Sequence, residues 1–223
     1  MWLKKNGLYV LLAVSVILAM LGVTTENFVF KSGTAGMGAV IILIMGIVDK
    51  SSIKEAWWII GAFLFSIIGD WFLSHMNGDS LMFVKGIALF FLAHLGYLLY
   101  ALRNGRIRGM FTAIVLTIYL AFFFLVLYPT FTDVTLMIAS LVYLLISCFS
   151  LGAAMGIKGD LAAKRSFIFG IVLIIFSDTI IAFKEFVGYH SFDFLITPTY
   201  YLAHIFITFS LVKRFKSNVP TSN

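Results

Sequence analysis

Eight apolar runs divide the 223-residue sequence, at roughly 8–23, 34–48, 56–74, 81–102, 110–128, 134–155, 166–183 and 197–212. Each is long enough, or nearly so, to cross about 30 Å of hydrocarbon as a helix, the second being the shortest. In lipid every backbone N–H and C=O has to be satisfied within the protein, which leaves helices and closed barrels. A barrel needs alternating polarity along each strand, and these runs lack it. The expected fold is therefore all-α: a polytopic membrane protein with eight transmembrane helices, a single integral membrane domain over 1–223. The composition agrees at 61% hydrophobic and 12% charged, against about 45–50% and about 25% for soluble domains.

The cations orient the bundle. With eight crossings, Lys4, Lys5, Lys50, Lys54, Arg103, Arg106, Arg108, Lys158, Lys164, Arg165, Lys213, Arg214 and Lys216 fall on one side. The sixteen basic residues leave only Lys31, Lys85 and Lys184 on or near the other. The positive-inside rule then expects a plasma (inner) membrane protein with both termini cytoplasmic. Lys4 and Lys5 ahead of residues 8–23 resemble the start of a signal peptide. No small-x-small cleavage motif follows, and the even helix count needs the segment, so it reads as a retained helix. The basic residues are spread through short loops rather than gathered on one face, which argues against a nucleic-acid partner. Cys148 is the single cysteine, so no intramolecular disulfide forms, and a lone thiol in an apolar helix reads as packing.

The two halves echo each other. FFLAHLGYLLYALR (90–103) resembles YYLAHIFITFSLVKR (200–214), and each of Asp70 and Asp178 sits in an apolar run with a serine upstream. The expectation is a 4+4 parallel internal repeat, 1–105 and 106–216, about a pseudo-twofold axis along the membrane normal.

Asp70 and Asp178 are the residues most out of place. A carboxylate in a spanning helix costs about 2.5–3.5 kcal/mol on insertion scales, so it faces the protein interior and marks a functional site. Counted from the ends of helices three and seven, both aspartates are expected about one turn below the outer surface. Tyr200, Tyr201 and His204 occupy the first turns of helix eight, and His94 lies past the middle of helix four. Ser66 shares a helix face with Asp70, and Tyr97 shares one with His94. The expected site thus has Asp70, Asp178 and His94 as catalytic groups. Ser66, Tyr97, Ser177, Tyr200, Tyr201 and His204 would bind substrate, with Lys31 a flanking cation able to meet a lipid phosphate. Each has a plainer reading: the serines orient neighbours or bond a carbonyl one turn back, the histidines join helices, the tyrosines pack, and Lys31 snorkels. Gly69 and Gly86 would let helices three and four approach closely.

Taken in order, FSIIGDWFL (65–73), FVKGIALFFLAHLGY (83–97), FSDTIIA (176–182) and YYLAH (200–204) resemble the lysoplasmalogenase family, eight-helix membrane proteins that include the bacterial YhhN group. Two positions depart from that pattern: His204 stands where glutamine is usual, and Ser32 follows Lys31 where proline is usual. The resemblance implies hydrolysis of the vinyl ether bond of lysoplasmalogens to a fatty aldehyde and a glycerophosphoethanolamine or glycerophosphocholine. The implied substrate is a lysophospholipid taken from the surrounding membrane lipids, with no cofactor and no metal. Asp70, His94, Asp178 and the Tyr201–His204 region would line the active site. The departure at helix eight favours a hydrogen-bonding role for His204 over a catalytic one.

That chemistry suits the residues. A vinyl ether resists base and is cleaved when an acid protonates its β-carbon, giving an oxocarbenium ion that water captures. The site needs a carboxyl that keeps its proton and a second, ionised group, as in aspartic proteases and glycosidases. Asp178 is the expected acid and Asp70 the ionised partner. No GxSxG occurs. Two Asp and two His leave a metal site open, though without HExxH or paired-histidine spacing. A proton-coupled lipid or small-molecule transporter using the same Asp/His cluster is the alternative. It is disfavoured because Pro129, Pro198 and Pro220, the only prolines, are expected outside helix interiors, whereas secondary transporters use broken helices. A purely structural membrane protein would leave the aspartates replaceable.

Overall fold

The computed structural model describes residues 7–25, 28–48 and 50–218, with the side chains of Lys31, of residues 50–53 and of Asn218 outside that description. Among the described residues eight α-helices follow one another: α1 (Leu8–Thr25), α2 (Phe28–Val48), α3 (Lys50–Ser74), α4 (Ser80–Arg103), α5 (Gly109–Phe122), α6 (Val134–Ala154), α7 (Leu161–Ala182) and α8 (Asp193–Asn218). Single π-helical turns, Phe123–Leu127 and Phe183–Val187, prolong α5 and α7. So extended, all eight are long and apolar enough to cross a membrane, and no strand occurs among the described residues. The protein is an integral membrane protein of the expected class.

Three of the acidic residues outside the spans start helices. Asp79, Asp133 and Asp160 are N-caps whose carboxylates accept from Leu81 N (2.8 Å), Thr135 N (2.7 Å) and Ala163 N (2.8 Å), satisfying backbone donors that a helix start leaves open.

The longest contacts run along α3–α4 and α7–α8. Helix α2 lies against α1, α3 and α8, while α6 lies against α4, α5 and, less closely, α7. If the halves are a duplication, the α2–α8 and α6–α4 contacts are counterparts. Phe63, Tyr97, Phe167, Ile171 and Ile207 fill the centre. The outward face is apolar, with Ile47, Met110, Leu125 and Phe194 among its most exposed members, whereas Ser66, Asp70, His94, Ser150, Ser177 and His204 are buried. Polar groups are inside and hydrocarbon outside, as lipid demands.

Two expectations change. Helix α2 begins at Phe28 rather than near residue 34, so Lys31 falls in its first turn; the binding role expected of the Lys31 side chain lies outside the described residues. Helix α8 begins at Asp193, which puts Pro198 inside its second turn instead of at an edge. Side-chain hydroxyls serve carbonyls there: Thr199 Oγ1 donates to Leu195 O (2.7 Å) and Ser177 Oγ to Ile196 O (3.0 Å). Neighbouring hydroxyls of this kind are what make a proline tolerable in a spanning helix.

The loops at the basic end tie the two halves together. Lys158 N donates to Asn104 O (2.9 Å) and Arg108 N to Gly152 O (3.1 Å), with Gly105 bridged to Ile157. The loops cross so closely that a Cβ on Gly156 would strike the Arg106 carbonyl.

Candidate active site

The site follows from polar residues on four helices. Helix α6 carries Ser140, Tyr143, Ser147 and Ser150 within an otherwise apolar run. Spacings of three and four put them on one face, and α6 lies along α4. Across that contact His94 Nδ1 meets Ser150 Oγ at 2.9 Å. The Ser150 hydroxyl donates its one proton to Ser147 O (2.9 Å), so its oxygen accepts from His94 and Nδ1 carries hydrogen. The network therefore assigns the tautomer. In the neutral ring, Nε2 keeps a lone pair, and that atom lies 3.7 Å from Asp178 Oδ2 on α7. The same Oδ2 accepts from Tyr143 Oη at 2.5 Å. Asp178 is thus gripped through one oxygen, while 20% of its side-chain surface remains open.

That opening is a cavity of about 90 Å³ among α4, α5, α6 and α7. Asp178, Tyr143, Ser147 and Cys148 supply its polar or polarisable wall, and Phe83, Phe90, Phe122 and Phe186 much of the rest. Both π turns border it, through Leu127 and Phe186. Such turns are rare and frequent at functional sites, because the extra residue re-aims the helix wall.

Asp70 lies outside the lining of this cavity and is 3% exposed. Phe90, which is on that wall, packs over Gly69 and edge-on to Tyr200, and Leu73 fits against Gly86; the two glycines permit the close α3–α4 contact their sequence positions suggest. Behind Phe90, Tyr97 and Tyr200 lie beside Ser66 and within electrostatic reach of both Asp70 and Asp178, while Tyr201 lies within reach of Asp70. Ser66 is the hydroxyl nearest those of Tyr97 and Tyr200, while the Tyr201 hydroxyl is buried without a protein hydrogen-bond partner among the described residues. A buried polar atom left unpaired costs about 1–3 kcal/mol, which a water would relieve. The His94 ring is set edge-on to Tyr97 (5.7 Å) and to Tyr143 (5.3 Å).

The remaining candidates divide. His204 is enclosed by Phe63 (5.1 Å) and Tyr200 (4.4 Å), with neither ring nitrogen bonded to a described protein group. Tyr201 rests on Gly22 of α1. Ser177 spends its hydroxyl proton on the α7–α8 tie. The histidines are therefore not equivalent: His94 meets Ser150 and lies 3.7 Å from Asp178, and His204 packs against rings. The π turn carries the helix on past Ala182, so Asp178 lies nine residues before its end at Val187, against four from Asp70 to Ser74. Among the described residues no three His, Cys, Asp or Glu side chains converge as a metal site would require.

Sequence reasoning passed over Tyr143, Ser147 and Ser150. Their signal was present as a polar stripe at helical spacing in an apolar segment. No curated protein and no solved structure matches the chain. The family model described as YhhN family matches residues 29–211, a stretch that carries both aspartates, both histidines and the α6 stripe, and the chain belongs to the YhhN family.

Proposed function

We propose that the protein is a membrane hydrolase that cleaves the vinyl ether bond of lysoplasmalogens. The observation that carries this reading is Asp178 on the cavity wall, with one oxygen held by Tyr143 and His94 Nε2 beside it. In this mechanism Asp178 acts as the carboxylic acid: it donates its proton to the β-carbon of the vinyl ether, and the Tyr143 hydroxyl stabilises the carboxylate that results. The electron pair of the double bond forms the new C–H bond, leaving an oxocarbenium ion.

Asp178, now anionic, stabilises that cation, with Asp70 adding a second negative charge from behind Phe90. Water adds to the α-carbon and returns its proton to Asp178. The hemiacetal then breaks its bond to the glycerol oxygen, which regains a proton, and the hydroxyl becomes the aldehyde carbonyl. One water is consumed and the acid is restored.

Purified protein in detergent or nanodiscs, given 1-alkenyl lysophosphatidylethanolamine, should release aldehyde, and Asp178→Asn should not. Proton-driven lipid flux in liposomes without aldehyde release would favour the transporter reading.

A further inference from the structure

The structure assigns a site for the substrate chain: we infer that the lipid-facing groove between α5 and α7 holds the aliphatic chain of a single-chain lipid whose head-to-chain junction lies at Asp178. This deepens the proposed function and rests on it for the identity of the junction. The groove, about 250 Å³, has walls from α5 (Ile118, Tyr119) and α7 (Val172, Ile175, Phe176, Thr179), with Leu151 of α6 between them. It is open to lipid, with Ile118, Val172 and Phe176 respectively 60%, 40% and 45% exposed.

Continuity with the catalytic cavity is the main argument. Tyr119, Ile175 and Thr179 line both spaces, and Thr179 directly follows Asp178. Helix α5 leans on α6 and scarcely on α7, so the two groove helices are not sealed by packing. What joins them at the boundary is a hydrogen bond. Thr179 gives its proton to Ile175 O (2.7 Å), so the Tyr119 hydroxyl is the donor to Thr179 Oγ1 at 3.1 Å. One neutral, part-buried bond is a weak barrier between lipid and cavity.

The order along the helices is the second argument. On both α5 and α7, the groove residues come before the cavity residues counting from the arginine- and lysine-rich loops. The groove therefore lies towards mid-membrane and the cavity towards the opposite surface. A lipid of that opposite leaflet places its head at the surface and its chain towards the midplane, which is the same order. The bond between head and chain then falls where the two spaces meet, at Asp178 and Thr179.

The test compares a long-chain alkenyl lysolipid with a short-chain, water-soluble vinyl ether. Filling the groove with Val172→Trp should lower the long-to-short ratio of kcat/KM by about tenfold or more, the scale on which apolar pockets discriminate chains. Leu64→Trp, on the lipid face of α3 and 50% exposed, should leave that ratio unchanged. An unaltered ratio in Val172→Trp, or the same change in Leu64→Trp, overturns the groove and leaves the hydrolase intact.

Absence of aldehyde from both substrates would refute the hydrolase, and the groove would then be judged by labelling. Lysophosphatidylcholine with a mid-chain diazirine, photolysed in nanodiscs, should concentrate its label on residues 115–119 and 172–176. Even labelling of all lipid-facing helices overturns the proposal.

Discussion

Tyr143→Phe isolates one hydrogen bond. Phenylalanine keeps the ring that packs edge-on against His94 and removes only the hydroxyl that donates to Asp178 Oδ2 at 2.5 Å. A hydrogen bond to a charged group contributes about 1.5–3 kcal/mol. In the proposed mechanism Asp178 becomes charged as the proton leaves, so the bond strengthens from the resting state to the transition state. At 1.36 kcal/mol per decade, kcat should fall by about 10- to 150-fold. KM should stay near its original value, because the hydroxyl acts on the aspartate and not on the lipid. The assay is aldehyde release under saturating alkenyl lysolipid, with monodisperse elution and the thermal midpoint recording that the variant is folded. A folded variant with kcat within about threefold of wild type would refute the role given to this bond.

Further outcomes follow from the same geometry. Ser150→Ala leaves the His94 Nδ1–H without its acceptor in a buried site, which should cost about 1–3 kcal/mol and appear as a lowered kcat with KM little changed; His94→Ala should cost more. Asp70→Asn should reduce activity less than Asp178→Asn, measured on the same substrate, because Asp70 acts from behind Phe90 and not from the cavity wall. Gly156→Ala should lower the thermal midpoint by several degrees, since its Cβ meets the Arg106 backbone where the two loops cross and overpacking costs about 1–3 kcal/mol; activity per folded molecule should be retained. Green fluorescent protein fused after residue 223 should fluoresce in bacterial cells, and alkaline phosphatase fused there should stay inactive, if the cation count orients the chain correctly.

The eight spans were legible because lipid permits few alternatives: apolar length alone identifies a helix, and the boundaries move by only a few residues. Asp70, Asp178 and His94 stood out for the same reason, as costly groups in apolar runs. The approach of His94 to Asp178 was not legible, because it depends on how α4 and α7 face each other across the bundle. By hydropathy alone helix α6 is one more apolar run, since its serines and tyrosine barely lower the average. Its polar face becomes evident only at 3.6-residue spacing. Ser177 shows the opposite case. It is polar, buried and next to the key aspartate, yet its proton goes to the Ile196 carbonyl and it serves the turn around Pro198.

The central claim is that a protein carboxylic acid, exchangeable with solvent, delivers a proton to carbon. Hydrolysis of a 1-alkenyl lysolipid in deuterium oxide, with the aldehyde trapped at once as a hydrazone and weighed by mass spectrometry, measures that transfer directly. The product should carry one deuterium, on the carbon next to the former carbonyl, and Asp178→Asn should yield none of it. Aldehyde formed by the wild type without deuterium at that carbon would contradict the account.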